Sequence, residues 1–150
     1  MFESSPEGAT DYIDADFQNF DMILQRAART IDFSRPVAVM LIALLHLIGG
    51  DDDPYGTVSA LMGAVPAGSY LALSQVASDI QAEQMAEAAK RCNRMARETQ
   101  RHRSHAEVSR FFAGLELLPP GVVPVQQWRP RSEPEAQARS AMWGGVARKG

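Results

Sequence analysis

The residues best suited to chemistry are two aspartates, a histidine and an acidic run: Asp14 and Asp16 in "YIDAD", His46 in "LLHLI", and Asp51, Asp52 and Asp53 shortly after it. An imidazole titrates at about 6.5, which suits His46 to orient a nucleophile or accept a proton; a core histidine with satisfied nitrogens is the competing reading. Three adjacent carboxylates offer oxygen to a hard cation but do not alone make a coordination shell, so Asp51 to Asp53 are read as a capping, solvated loop. His102 and His105 stand three apart with no evident third ligand, which favours capping and surface roles over zinc. Cys92, the only cysteine, is read as a small packing residue. No metal site is expected.

Positioning these groups falls to strands and helices alternating along the chain. The run from Pro36 to Ile48 is 13 residues and contains His46. Spanning hydrocarbon as a helix takes about 20 residues, so it reads as a strand buried on both faces and no membrane is expected as a partner. Upstream, "ATDYIDAD" from Ala9 to Asp16 reads as a strand. In "FDMILQRAARTI" Phe20, Ile23, Leu24, Ala27, Ala28 and Ile31 recur at helical spacing. Downstream, "DPYGTVSALMGAV" opens with aspartate then proline, as a capped helix does. A strand follows from Tyr70 to Leu73, extending toward Val76. Ile80 to Arg97 has helical composition with a weak apolar face, and Ser104 with Glu107 has capping-box spacing before Val108, Phe111 and Phe112. A strand around Leu115 to Leu118 and a short edge strand in "AMWGGVARKG", anchored by Trp143, complete the order. Such repetition predicts one α/β domain over residues 1–150, with a mostly parallel sheet flanked by helices. Its ligand site should lie beyond the strands' carboxyl ends, which gathers Asp14, Asp16, His46, Asp51 to Asp53 and Ser74 at one edge.

Composition sets the outer limits. With 150 residues, 45% hydrophobic and 22% charged, the chain has the makeup of a globular domain. A net charge of −3 argues against a nucleic-acid partner. The basic stretch from Lys90 to Arg103 is interrupted by Glu98 and lacks the aromatic residues that stack on bases, so it reads as a solvated face. The polar start "MFESSPEGATDY" is unlike a signal peptide, and with one cysteine the expected location is cytoplasmic. Neither a G-x-S-x-G sequence nor a glycine-rich phosphate loop supports a hydrolase or a kinase.

Taken in order, "YIDAD", "RPVAVMLIALLHLI" with "DDDPY", "GSYLALSQ", "AEVSRFFAGLELLPPGVVPVQQWRP" and "WGGVARKG" resemble the carboxyl-terminal part of an actinobacterial family of S-adenosylmethionine-dependent methyltransferases. The resemblance implies a partial Rossmann-like, class I methyltransferase fold that begins at the family's third strand and lacks the first two, together with their glycine-rich cofactor turn. A truncated domain is thus expected, with sheet order third, fourth, fifth, seventh, sixth. The same resemblance implies S-adenosyl-L-methionine as cofactor. It places Asp16 at the adenine amino group, Ala15 against the ring through its backbone, Asp14 as the residue orienting that loop, and His46 beside the sulfonium and substrate entrance as the catalytic candidate. As a solvated aspartate or helix cap, Asp16 needs no ligand.

Two functions follow. One is methyl transfer to a small-molecule acceptor, in which the protein aligns the acceptor with an already activated methyl group and excludes water. The other is noncatalytic: a partial sheet kept as an interaction or assembly module, with a homo-oligomer covering its exposed edges.

Overall fold

In a computed structural model, residues 8–48, 52–80 and 100–150 are described. They form an open mixed sheet flanked by helices. Helix α1 (Phe20–Ala27) precedes β1 (Ala38–Ile42), a 3-10 turn (Leu45–Leu47), α2 (Pro54–Ala64) and β2 (Tyr70–Val76). After α3 (His105–Ser109) and a 3-10 turn (Arg110–Phe112) come β3 (Glu116–Leu117), β4 (Val123–Pro124), a 3-10 turn (Val125–Gln127), α4 (Glu133–Ala136) and β5 (Met142–Arg148). The expected helix from Ile80 to Arg97 falls almost wholly outside the described residues, as do Asp51 and Cys92.

β1 and β2 run parallel, joined by the right kind of helical crossover for that pairing: α2 begins at Pro54 and Asp53 caps it by accepting the Gly56 N–H at 3.0 Å. β5 then enters antiparallel beside β2, from Tyr70 opposite Arg148 to Val76 opposite Met142. Its other edge is shared by β3 along Ala147 and Arg148 and by β4 along Trp143 and Gly144. The partial Rossmann-like α/β arrangement is therefore present, but only β1 and β2 pair in parallel, against the mostly parallel sheet expected. β5 is an interior strand, in the place that the expected order fourth, fifth, seventh, sixth gives the seventh strand, although its residues alone suggested an edge. Its glycines explain the difference: Gly144 and Gly145 give neighbouring chains room on both faces, and both strand edges carry ladder bonds.

Two further expectations change. Ala9 to Asp16 adds no strand, so β1 is the outermost strand of the described sheet. The aspartates of this segment bond local amides instead, Asp11 Oδ1 accepting from Tyr12 N at 2.8 Å and Asp16 Oδ1 from Gln18 N at 3.0 Å. The long apolar run also leaves the sheet early. Ala43 adopts a left-handed φ of 51° and donates its N–H to Ser74 Oγ at 3.0 Å, and Leu45 to Leu47 coil beyond it, which puts His46 on a turn.

The core lies between the sheet and α2 with α3. Leu41, Leu71 and Leu73 meet Val58, Met62 and Phe112 there. Ser104 and Glu107 form the capping box that starts α3. No helix among the described residues is long and apolar enough to cross a membrane.

Lys149, just after β5, locks the far end of α2 by donating from Nζ to the carbonyls of Met62 (2.8 Å), Gly63 (3.2 Å) and Val65 (2.7 Å). Lys149→Met keeps the apolar stem and strips these charge-assisted bonds, so urea unfolding should show a loss of about 2 kcal/mol. A loss under about 0.5 kcal/mol would match an ordinary surface position and contradict this locking role.

Candidate functional site

The carboxyl ends of β1 and β2 carry a buried polar cluster, assembled from β2, the Leu45–Leu47 turn and the segment of Arg101 to Arg103. Gln75, fully buried near the end of β2, donates from Nε2 to Arg101 O at 2.8 Å and accepts at Oε1 from Arg103 Nη1 at 3.2 Å. The same Nη1 donates to Leu45 O at 2.7 Å. The backbone joins in, since Arg101 N donates to His46 O at 2.8 Å and Arg103 bridges in parallel to Ala77. In this way the segment returning toward α3 is tied to the turn that carries His46.

Arg103 is 1% exposed, and its Nε and Nη2 have no hydrogen-bond partner among the described residues. Burial lowers its pKa, yet a guanidinium keeps its proton in proteins. Aromatic faces supply part of the compensation. The Arg103 guanidinium lies 5.5 Å from the Phe111 ring centre, Phe111 stacks on Tyr55 at 4.3 Å, and Arg110 covers the far face of that pair at 4.3 Å from Tyr55.

His46 is half-buried, and its Nδ1 is buried with no partner among the described residues. Burial first, then the nearby His102 and Arg103, push its pKa below the ordinary 6.5, and burial does the same to His102. The neutral imidazole is therefore the favoured form. Ser74 stands at the same end of the sheet, its hydroxyl oxygen occupied by Ala43 N–H.

The other anticipated residues do not join this cluster. Asp14 and Asp16 are exposed, Ala15 is half-buried, and no hydrogen bond or ion pair among the described residues ties them to His46. Asp53 serves α2, Asp52 is exposed, and Asp51 lies outside the described residues. His105 is a structural group: its Nε2 lies 2.9 Å from Val122 O, its N–H donates to Asp79, and its ring meets Trp143 edge-on at 4.8 Å. No group of three potential metal ligands occurs among the described residues.

Sequence reasoning missed Gln75 and Arg103. Arg103 sits in a stretch whose other residues are polar, and the only clue to its burial is its place directly before the Ser104 cap, where the chain must turn inward. Two hollows adjoin the cluster's elements. One of about 560 Å³ lies between α2 and the turn at Phe111, but its cations are engaged, Arg110 on Tyr55 and Lys149 on the α2 carbonyls. The other, of about 350 Å³, opens on the face of the sheet away from α2, beside Ile42, Ala43 and Ser74.

Residues 1–150 match a family model described as S-adenosyl methyltransferase. A DUF574 family protein from Streptomyces avermitilis is 37% identical, with a TM-score of 0.91 over 98% of this chain and 58% of that one. A presumptive methyltransferase from Thermobifida fusca is 32% identical, with a TM-score of 0.77 over 90% of this chain and 52% of that one. The chain thus spans little more than half the length of these relatives. No curated protein matches it.

The depressed histidines predict a pH dependence of stability. Because the folded protein binds these protons less tightly, the unfolded chain takes them up first as pH falls below 6.5, and stability declines until the lower folded values are passed. Carboxylates act in a separate, more acid window. The Ser104 N–H holds Glu107 below its ordinary 4.5, so its contribution is present above that value and fades as pH falls past it. Unfolding free energy measured between pH 8 and 5 should therefore fall toward acid, and His46→Gln should flatten the decline. An equal slope in wild type and variant would remove His46 as a cause.

Proposed function

The chain belongs to the S-adenosyl methyltransferase family, and from that premise we propose that it acts in methyl transfer from S-adenosylmethionine to a small molecule. The match over the full 150 residues carries this reading. The residues suit one end of the cofactor. Asp16 Oδ1 is occupied by Gln18 N–H, so its other carboxylate oxygen, on an exposed side chain, is the one to accept the adenine amino group. Ala15 lends its backbone to the ring and Asp14 orients the loop. His46, with its unpartnered Nδ1, faces the reacting end. The bound cofactor supplies a methyl group already activated on a sulfonium.

The protein's own work is placement and proton handling. His46, neutral through burial, is in the form that takes a proton from an acceptor hydroxyl or amine as it becomes a nucleophile. The Gln75 and Arg103 cluster fixes the His46 turn through Leu45 O and His46 O, which limits how far the imidazole can stray.

Calorimetric titration of the folded chain with S-adenosylmethionine is the test. One-to-one binding is expected, with Asp16→Ala weakening it about tenfold, the worth of one charge-assisted hydrogen bond. Absence of heat, together with no binding of S-adenosylhomocysteine, would sink autonomous methyl transfer.

A second, noncatalytic reading is favoured by the outer edge of β1. Met40 and Ile42 there are 66% and 55% exposed, on a strand with no partner on that side among the described residues. Pairing of this edge with a second copy of the chain would cover both its apolar side chains and its open backbone groups. Sedimentation should then show a dimer that Ile42→Lys disperses. A monomer at all concentrations would exclude this assembly.

A further inference from the structure

The larger hollow, of about 560 Å³, is within the usual size of a small-molecule pocket. It follows α2 from Tyr55 to Gly63 and is bounded by the segment from Arg110 to Leu115. Its charged lining is cationic only: among the described residues Arg110 and Lys149 line it, and no aspartate or glutamate does. Lys149 has spent its three ammonium protons on the α2 carbonyls. Arg110 is engaged only through the face of its guanidinium, 4.3 Å from the Tyr55 ring centre. Its side chain is exposed and makes no hydrogen bond or ion pair with a described residue, which leaves its in-plane N–H groups free to donate to an anion.

Tyr55 holds that cation in place. Its hydroxyl donates to Glu107 O at 3.2 Å and its ring stacks on the buried Phe111 at 4.3 Å, so the support under Arg110 is fixed. A planar fork held by its face presents its edge, the geometry that takes both oxygens of a carboxylate. A phosphate would bring a second charge, for which the lining has no second free cation. Away from Arg110 the lining turns aliphatic, with Val58, Met62 and Leu115. From Tyr55 to Gly63 the helix rises about 12 Å, the reach of a medium-length alkyl chain.

The glycines of the lining point the same way. Gly56 makes room for the Asp53 cap, since a Cβ there would collide with that carboxylate, and Gly114 has a left-handed φ of 77°. Gly63 has neither reason. It lies inside α2, where glycine costs stability, and a Cβ there would meet no described atom within 4 Å. Packing within the chain does not call for a bare position at Gly63, whereas an occupant of the hollow would.

We infer that this hollow binds a medium-length aliphatic carboxylate, its anion paired with the Arg110 guanidinium and its chain lying along Val58, Met62 and Leu115 toward Gly63. The site is separate from the His46 cluster and does not rest on the methyl-transfer reading.

The test is an NMR titration of the full chain, with isotope-labelled methionine methyl groups and without S-adenosylmethionine, using decanoate, decanol and acetate as probes. Met62 lines this hollow and Met142 the smaller one, so each signal reports its own site. Decanoate should shift the Met62 signal saturably and spare that of Met142. Arg110→Gln should weaken decanoate about tenfold, the worth of one charge-assisted hydrogen bond, while changing decanol little. Gly63→Leu suits a helix better than glycine and places a side chain in the hollow, so it should block both probes while the urea midpoint stays level or rises. An unmoved Met62 signal overturns the proposal, as does a shift of Met142 alone. Equal loss of decanoate and decanol in Arg110→Gln overturns it by removing the anion's part, and acetate binding as tightly as decanoate does so by removing the chain's. Undiminished decanoate binding in folded Gly63→Leu places the ligand elsewhere and overturns it too.

Discussion

The constraint on which the rest depends is a pair of adjacent glycines in one interior strand. Successive residues of a strand face opposite sides, so Gly144 and Gly145 clear space on both faces of β5 at once. On one side, a Cβ at Gly145 would come within 3.1 Å of the buried Phe112 ring, so its absence seats the turn after α3 against the sheet. On the other, Gly144 admits Val125 and with it the segment that holds Trp128. The entropy that two glycines lose in a strand is offset by close packing of both layers.

Depth of burial at the carboxyl ends follows from this arrangement. With the α3 segment drawn onto the sheet, the chain leading into it has no way to keep Arg103 in water. Its guanidinium is accommodated by Leu45 O, Gln75 Oε1 and the Phe111 face. Such a cluster ties loops from distant parts of the sequence to one another, which is the service a catalytic turn needs from its surroundings. A buried charge so placed adds specificity of arrangement more readily than stability.

Local signals were legible in the sequence where short-range chemistry decides. Asp53 before Pro54, Ser104 with Glu107, and the apolar run of β2 each announced their element, because capping and side-chain patterning act within a few residues. The failures lie where partners distant in sequence decide. β5 resembles an edge because its glycines look like weakness, and only Phe112 and Val125 reveal their use. Ala9 to Asp16 has strand-forming Tyr12 and Ile13, but its aspartates capture nearby amides and the segment adds nothing to the sheet. Of the site, His46 was visible as a titratable group beside an apolar run, whereas Arg103 gains its meaning from burial that no spacing encodes.

The two faces of the sheet also place different demands on the molecule. Parallel strands are ordinarily covered on both sides, whereas an antiparallel sheet tolerates one wet face. Here the division runs through the sheet itself. β5 with its short partners forms the antiparallel part, shielded on the face away from α2 by the Val125 and Trp128 segment. β1 and β2 form the parallel part, and there Met40 and Ile42 stand open on the outermost strand. The unmet burial is therefore concentrated on the parallel side and continues at Ile42 into the hollow beside Trp128.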